Sequence, residues 1–199
     1  VYTFYFLSFA LFSSLISVYM LGLGFSAGQT SVVVSVAFFA SMLAQPVMGI
    51  LNDCLSIKKV TLFSFGAIIF IAIYFMQVRD LLGLTIGYSL VVMLINGVNP
   101  VMDVLAARSP YTYGKIRIWG TIGYALGSQL AGVLYQYVSP MAIFIAFIGA
   151  MIITIVGVLS IKIRSESPKS DEVPKTKKDS YISQILTNKT YLYYLLIVA

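Results

Sequence analysis

Residues 96 to 124 read NGVNPVMDVLAARSPYTYGKIRIWGTIGY, and they join two long apolar segments through a short polar connection. Asp103 lies near the end of the first segment and Arg117 near the start of the second. Because the connection is short, the helices on either side run antiparallel and place both charges at the same depth. At helical spacing Asn96 and Asn99 share one face of the first helix with Asp103.

The helix that follows carries a second set of residues on one face. At helical spacing this face holds Arg117, Gly120, Tyr124, Ser128 and Ala131. A charge in a bilayer core is costly, so it usually faces a partner or a water-filled cavity. The two charges therefore predict a polar substrate site between the helices. The alternative is that Arg117 extends to the cytoplasmic headgroups while Asp103 caps or pairs nearby.

The composition identifies the class of protein. Hydrophobic residues make up 59% of the chain and charged residues 10%, whereas soluble domains are typically about 25% charged. Apolar runs of about 20 residues fit a bilayer as helices. The alternating pattern of an outer-membrane barrel is not seen in these runs. We therefore predict an all-α membrane protein.

The cysteine and histidine counts argue against several kinds of functional site. The single cysteine leaves no internal disulfide, and the chain has 0 histidines. A zinc site or a Ser-His-Asp hydrolase is therefore not expected, nor is an enzyme of another kind. The net charge is +6, but 12 of the 13 basic residues fall in segments predicted on one side of the membrane. Their charge indicates topology, not nucleic-acid binding.

Six membrane-spanning helices are predicted from the apolar runs. They lie near residues 1–23, 30–51, 60–78, 82–107, 116–137 and 140–161. Ser139 and Pro140 suit the cap and first turn of the sixth helix. The domain boundaries are a six-helix bundle over 1–161, a polar linker over 162–187, and the truncated start of a seventh helix over 188–199. The chain opens without a methionine, so a few upstream residues are expected to be missing.

The basic residues also predict orientation. Lys58 and Lys59, then Arg108 to Arg117, then the linker lysines follow helices two, four and six. Those loops should be cytoplasmic, with the amino terminus and the central linker, in a multi-pass protein of the plasma or inner membrane. Helices one, two, four and five carry the polar residues, whereas three and six are plain. This pattern predicts an inverted three-plus-three repeat whose plain helices face lipid.

The turn after helix two carries Gly49, Asp53, Lys58 and Lys59. Asp53 follows a helix end that is already negative, so it gains by pairing with a lysine or with the start of a neighbouring helix. Such a pair would act as a conformational latch. The alternative is an ordinary charged turn whose lysines set orientation.

Helix five carries small residues and one tyrosine of interest. Gly120, Gly123, Gly127 and Gly132, with Ala131, predict a surface for close helix packing. Tyr124 lies two turns after Arg117, where its ring could stack on the apolar face of a sugar. The alternative is a core or interfacial tyrosine among the 14 in the chain.

Two motifs resemble the major facilitator superfamily. QPVMGILNDCLSIKK, residues 45 to 59, resembles the signature loop between its second and third helices. It departs at Cys54, where a basic residue is usual, and at Ser56, where a glycine is usual. YGKIRIWGTIGYALG, residues 113 to 127, resembles the start of helix five in the oligosaccharide:proton symporter branch. PVMD, residues 100 to 103, similarly resembles the end of its helix four.

The resemblance implies the amino-terminal half of a twelve-helix transporter. It implies that Asp103 and Arg117 bind substrate and that Tyr124 stacks on the sugar ring. Asn96 and Asn99, on the same polar stripe as the acid, are also predicted to bind substrate. In the family the acid is a glutamate and the aromatic residue a tryptophan. The activity implied is proton-coupled sugar uptake by alternating access, with the proton as coupling ion and no other cofactor. The implied partners are the lipid bilayer and a carboxy-terminal six-helix half of the same polypeptide.

Other functions remain open at this point. An efflux antiporter of the same fold, or an uptake carrier for nucleosides or aromatic acids, would share these features. Helix five lacks the proline-containing glycine motif of drug antiporters, which favours uptake. A scaffold or receptor without transport activity is a further alternative, and an intramembrane enzyme a more distant one.

Overall fold

The computed structural model describes residues 1 to 54 and 56 to 160. The predicted linker, 162 to 187, and the predicted start of a seventh helix, 188 to 199, lie outside the described residues. Within the described ranges every regular element is an α-helix, and these helices belong to one compact unit. They are α1 Tyr2–Ser13, α2 Ile16–Gly22, α3 Ala27–Cys54, α4 Ile57–Gln77, α5 Leu81–Ala107, α6 Tyr113–Tyr137 and α7 Pro140–Ser160. The prediction of an all-helical fold is confirmed.

The first predicted helix is interrupted. Leu15 leaves helical geometry, with φ −114° and ψ 14°, and separates α1 from α2. The hydroxyls of Ser13 and Ser14 donate to the carbonyls of Phe9 and Ala10, at 2.8 and 2.7 Å. Serine hydroxyls that bond one turn back tend to bend helices. Prediction of a continuous helix was therefore wrong at this point, although the pair still forms one apolar span, Tyr2–Gly22.

Five spans among the described residues are long and apolar enough to cross a membrane, namely Tyr2–Gly22, Ala27–Leu51, Lys58–Gln77, Leu81–Ala107 and Pro140–Ser160. The predicted fifth helix, α6, has sufficient length at 25 residues but is less apolar, because glycine, tyrosine and glutamine interrupt its apolar residues. It nevertheless packs within the bundle, since its buried residues are Gly120, Gly123, Gly127 and Ala131.

Helix starts follow the expected capping chemistry. The side chain of Asp80 accepts a hydrogen bond from the Gly83 amide at 2.7 Å and caps α5. The Ser139 hydroxyl accepts from the Ala142 amide at 3.2 Å, directly before Pro140. The predicted start of the last helix is therefore confirmed.

The packing order of the helices has a two-fold correspondence. The most extensive contacts join α1 to α6 and α3 to α5. The next most extensive join α1 to α7 and α4 to α5. If the first three spans are exchanged with the last three, the α1–α6 contact takes the place of α3–α5, and α1–α7 takes the place of α4–α5. An inverted three-plus-three repeat requires this correspondence. Phe63 and Phe70 of α4, which is the predicted third helix, are 79% and 75% exposed.

An aromatic cluster anchors α1 in the centre of the bundle. The ring of Phe12 lies 5.6 Å from Phe75, 5.7 Å from Tyr88 and 4.9 Å from Phe147, measured between centroids. All four side chains are buried. Aromatic pairs at these separations contribute about 0.5 to 1.5 kcal/mol beyond their buried area. The cluster holds α1 against α4, α5 and α7 and so determines where the remaining side chains of α1 meet α5 and α6.

Candidate functional site

Asp103 and Arg117 form an ion pair between α5 and α6. Arg117 Nη1 lies 3.4 Å from Asp103 Oδ1 and 3.5 Å from Oδ2. The acid is one turn from the end of α5, and the base one turn inside α6. The two side chains are 40% and 60% exposed. The structure therefore brings together the two charges as predicted, on an open side of the bundle.

Two tyrosine hydroxyls complete this ion pair. Tyr2 of α1 donates to Asp103 Oδ1 at 2.6 Å, and Tyr113 of α6 donates to the same oxygen at 3.2 Å. Arg117 Nη1 donates in turn to the Tyr113 hydroxyl. These four side chains, Tyr2, Asp103, Tyr113 and Arg117, are termed the polar cluster below. Hydrogen bonds to a charged group are stronger than those between neutral groups, so the cluster orients the carboxylate firmly.

The predicted asparagines belong to a neighbouring hydrogen-bond network. The Tyr5 hydroxyl lies 2.6 Å from the Ile95 carbonyl oxygen and 2.9 Å from Asn99 Oδ1. Asn99 Nδ2 lies 3.4 Å from Asn96 Oδ1, and Asn96 Nδ2 donates to Ser41 Oγ at 3.0 Å. The network therefore links α1, α5 and α3 through half-buried amides. In this structure the polar atoms of both asparagines are engaged with the protein, whereas Asp103 and Arg117 are more open.

Tyr124 lies beside α1, two turns along α6 from Arg117. Its ring meets Phe9 edge to face, at 5.9 Å between centroids and 77° between planes. The residue is 39% exposed. Phe9 therefore supports one side of the ring, and part of the ring stays accessible for a stacked ligand.

The predicted latch is described only in part. Lys58 Nζ donates to the Leu159 carbonyl at the end of α7, at 3.0 Å, which is a favourable position for a cation. Gly49 and Lys59 are exposed. The side chain of Asp53 lies outside what the structure describes, so its pairing stays a prediction. No group of three or more His, Cys, Asp or Glu suited to a metal ion occurs in the part of the chain that the structure describes.

Glycines on α6 allow α1 to approach closely. A Cβ at Gly123 would lie 2.3 Å from the Thr3 carbonyl oxygen, and one at Gly120 would lie 2.4 Å from the Tyr2 ring. The predicted packing surface is therefore correct for these residues, and for Gly127. It is wrong for Gly132, because nothing lies within 4 Å of a Cβ built there. Gly132 is on a different face of α6 from the contact with α1.

Sequence reasoning missed the tyrosines of the site. Tyr2 and Tyr5 are three residues apart, which places them on one face of α1 opposite Asp103 and Asn99. Their spacing can be read from the sequence, but the chain holds 14 tyrosines, and Tyr124 alone was singled out, by its position two turns after Arg117. Tyr113 lies four residues before Arg117, at the spacing of helical neighbours. The fifth helix was predicted to begin near residue 116, whereas α6 begins at Tyr113. A prediction that began at Tyr113 would have placed these two side chains together.

Helices long and apolar enough to cross a membrane, with an ion pair and hydrogen-bonded polar side chains between them, are typical of multi-pass membrane proteins. Residues 1–199 match the MFS_1 like family. The chain belongs to this family, within the major facilitator superfamily, and the family resemblance seen in the sequence is confirmed.

Curated relatives agree with this family. The chain is similar to the lactose permease of Citrobacter freundii, with 26% identity over 160 residues, 74% of this chain and 38% of the relative. It is similar to the raffinose permease of Escherichia coli, with 29% identity over 61% of this chain and 31% of the relative. The sucrose permease of Escherichia coli shares 28% identity over 68% of this chain and 36% of the relative. The chain thus spans about a third of the length of these relatives. No solved structure matches it significantly.

Proposed function

We propose that this chain forms the amino-terminal half of a secondary active transporter for proton-coupled uptake of a sugar or similar small polar solute. The observation that most directly supports this proposal is the ion pair of Asp103 and Arg117, whose Oδ1 and Nη1 atoms lie 3.4 Å apart on an open side of the bundle. An acceptor beside a donor matches a sugar hydroxyl, which donates one hydrogen bond and accepts others. The relatives named for lactose, raffinose and sucrose support a sugar as the solute.

Each site residue has a distinct role in this proposal. Asp103 accepts hydrogen bonds from substrate hydroxyls, while Arg117 donates to them. Tyr124 stacks its accessible ring on the apolar face of the sugar. Asn96 and Asn99 hold α5 against α1 and α3, and they line the inner end of the same stripe. The proton is the coupling ion, and no other cofactor is required.

Transport would follow from alternating access. This bundle would rock against a second six-helix bundle of the same polypeptide, around a site near the middle of the membrane. Exposed apolar side chains on α3, such as Phe39 and Met42, both 60% exposed, suit contact with lipid or with that second bundle. The protein would lie in the plasma or inner membrane with its amino terminus and residues 162–187 in the cytoplasm. Asp53 with Lys58 and Lys59 would hold one conformation closed.

The direct test is substitution of Arg117 by lysine in the full-length protein. Lysine keeps the charge near Asp103 but lacks a second, coplanar donor for the sugar. Binding of radiolabelled lactose, raffinose or sucrose to membranes should become at least about tenfold weaker or undetectable. Asp103→Asn should give a similar loss because it removes the charged acceptor. Arg108→Lys is the matched control, since Arg108 is an exposed arginine at the end of α5.

Results of this test separate the possibilities. Affinity of Arg117→Lys within about twofold of the parent would place Arg117 outside the substrate site. Transport direction is measured in cells that express the full-length protein. Accumulation of labelled sugar that stops when a protonophore collapses the proton gradient supports uptake by symport. Export of the solute, or accumulation of nucleosides or aromatic acids in place of sugars, would contradict the proposal.

A further inference from the structure

The two oxygens of Asp103 have unequal surroundings. Oδ1 receives hydrogen bonds from Tyr2 at 2.6 Å, from Tyr113 at 3.2 Å and from Arg117 at 3.4 Å. Among the described residues, Oδ2 has only the Arg117 contact at 3.5 Å. A carboxylate oxygen accepts about two hydrogen bonds comfortably. Oδ1 is therefore saturated by the protein, whereas Oδ2 retains capacity for a ligand.

Tyr2 is a rigid donor. The side chain is 8% exposed, and its ring lies against the bare backbone of Gly120 on α6. A second contact with Phe6, 4.9 Å between ring centroids, supports the ring within α1. The hydroxyl has one proton, and the short bond to Oδ1 uses it. The position of Oδ1 is thus determined by packing between α1 and α6.

Tyr113 connects the acid and the base. Its hydroxyl accepts from Arg117 Nη1 and donates to Asp103 Oδ1. Tyr113 is four residues before Arg117 on α6, and the guanidinium carbon lies 5.8 Å from the centre of its ring. Within the described ranges, Nη1 makes every hydrogen bond of the Arg117 guanidinium. The Arg117 side chain is 60% exposed, so its other nitrogens retain donors for a ligand.

We infer that Tyr2 and Tyr113 are positioning residues that occupy Oδ1 and Nη1, so that Asp103 Oδ2 and the remaining guanidinium nitrogens are presented together to adjacent hydroxyls of a sugar. This inference rests on the proposed function and adds how the pair is held in a binding geometry. Neither tyrosine touches the ligand in this arrangement. Their hydroxyls reduce the freedom of the short aspartate side chain, and an acceptor that is already oriented binds a ligand at a lower entropic cost.

The first test is removal of each hydroxyl in the full-length protein. Tyr2→Phe and Tyr113→Phe keep the rings, so the contact with Gly120 and the fold are preserved. The affinity for radiolabelled lactose, raffinose or sucrose should fall about fivefold or more in each variant. Tyr135→Phe is the matched control on α6, because the hydrogen bond of its hydroxyl within the described residues is a long one, 3.4 Å to the Val18 carbonyl. That variant should stay within about twofold of the parent.

A second readout does not depend on sugar. A hydrophobic carbodiimide modifies carboxyl groups, and the rate at Asp103 is read by peptide mass spectrometry against Asp80 as internal reference. The two oxygens of a carboxylate share its charge, so loss of a hydroxyl donor to Oδ1 leaves more negative charge on the group as a whole. Attack of Asp103 on the carbodiimide, which takes up a proton to give an O-acylisourea, should therefore be several-fold faster in Tyr2→Phe and Tyr113→Phe. The rate at Asp80, which caps α5 through Gly83, should not change.

The combined outcomes distinguish this inference from the proposed function. Faster modification of Asp103 with weaker sugar binding supports both. If Asp103 is modified faster in the two variants but the parent protein binds none of the three sugars, the positioning role is supported and the sugar site is overturned. Unchanged affinity and unchanged modification in both variants overturn the positioning role. Faster modification of Asp80 as well as Asp103 indicates general loosening and overturns it too.

Discussion

Replacement of Gly123 by alanine should separate α1 from α6 and destabilise the bundle. The new Cβ would lie 2.3 Å from the Thr3 carbonyl oxygen and 3.1 Å from the Thr3 Cα. Both are backbone atoms, so no side chain can rotate away. The helices would have to move apart by about 1 Å to restore an ordinary contact. Overpacking of this kind costs about 1 to 3 kcal/mol.

Gly132→Ala provides the matched control, because a Cβ there has nothing within 4 Å. Both substitutions gain helix propensity, about 1 kcal/mol each, so the difference between them isolates the packing cost. Thermal unfolding of the full-length protein in detergent should show the transition of this bundle about 2 to 12 °C lower in Gly123→Ala than in Gly132→Ala, because the bundle has a size at which 1 kcal/mol shifts the midpoint by about 2 to 4 °C. Equal melting temperatures would refute the close backbone contact between α1 and α6.

Two further predictions concern single side chains that hold helices through hydrogen bonds, Asp80 and Tyr5, each measured by thermal unfolding in detergent. Asp80→Ala removes the cap of α5 and should destabilise by about 0.5 to 2 kcal/mol, whereas Asp80→Asn, which keeps a capping oxygen, should recover most of the loss; equal losses in both variants would contradict the capping role. Tyr5→Phe removes the buried hydroxyl 2.6 Å from the Ile95 carbonyl and should cost about 1 to 3 kcal/mol, and a melting temperature equal to that of the parent would show that the bond contributes nothing.

The meeting of Asp103 and Arg117 could be predicted because its cause is local. Only 14 residues separate them, and a short connection between two helices leaves an antiparallel arrangement as the available geometry. The start of α7 at Pro140 was predicted for the same reason, since a cap acts within three or four residues of its own helix. The cap at Asp80 is equally local but was not predicted.

Tyr2 and Tyr5 could not be assigned from the sequence because their partners are distant in the chain. Tyr2 is 101 residues from Asp103, and Tyr5 is 94 residues from Asn99. The break at Leu15 was also missed. Serines such as Ser13 and Ser14 are common in membrane helices, and they bend a helix only when their hydroxyls bond one turn back. Gly132 shares its residue type with Gly123, and only the position of α1 distinguishes the two.

Local patterns in the chain are enough to predict the helical class, the approximate positions of the spans and the meeting of Asp103 with Arg117, since hydropathy, helical period and short connections act over one or two turns. Which oxygen of Asp103 is occupied, and which glycines receive α1, could be seen only in the folded bundle. The physical reason is that both depend on the packing of α1, anchored by Phe12 in the aromatic cluster, against helices that come about 100 residues later.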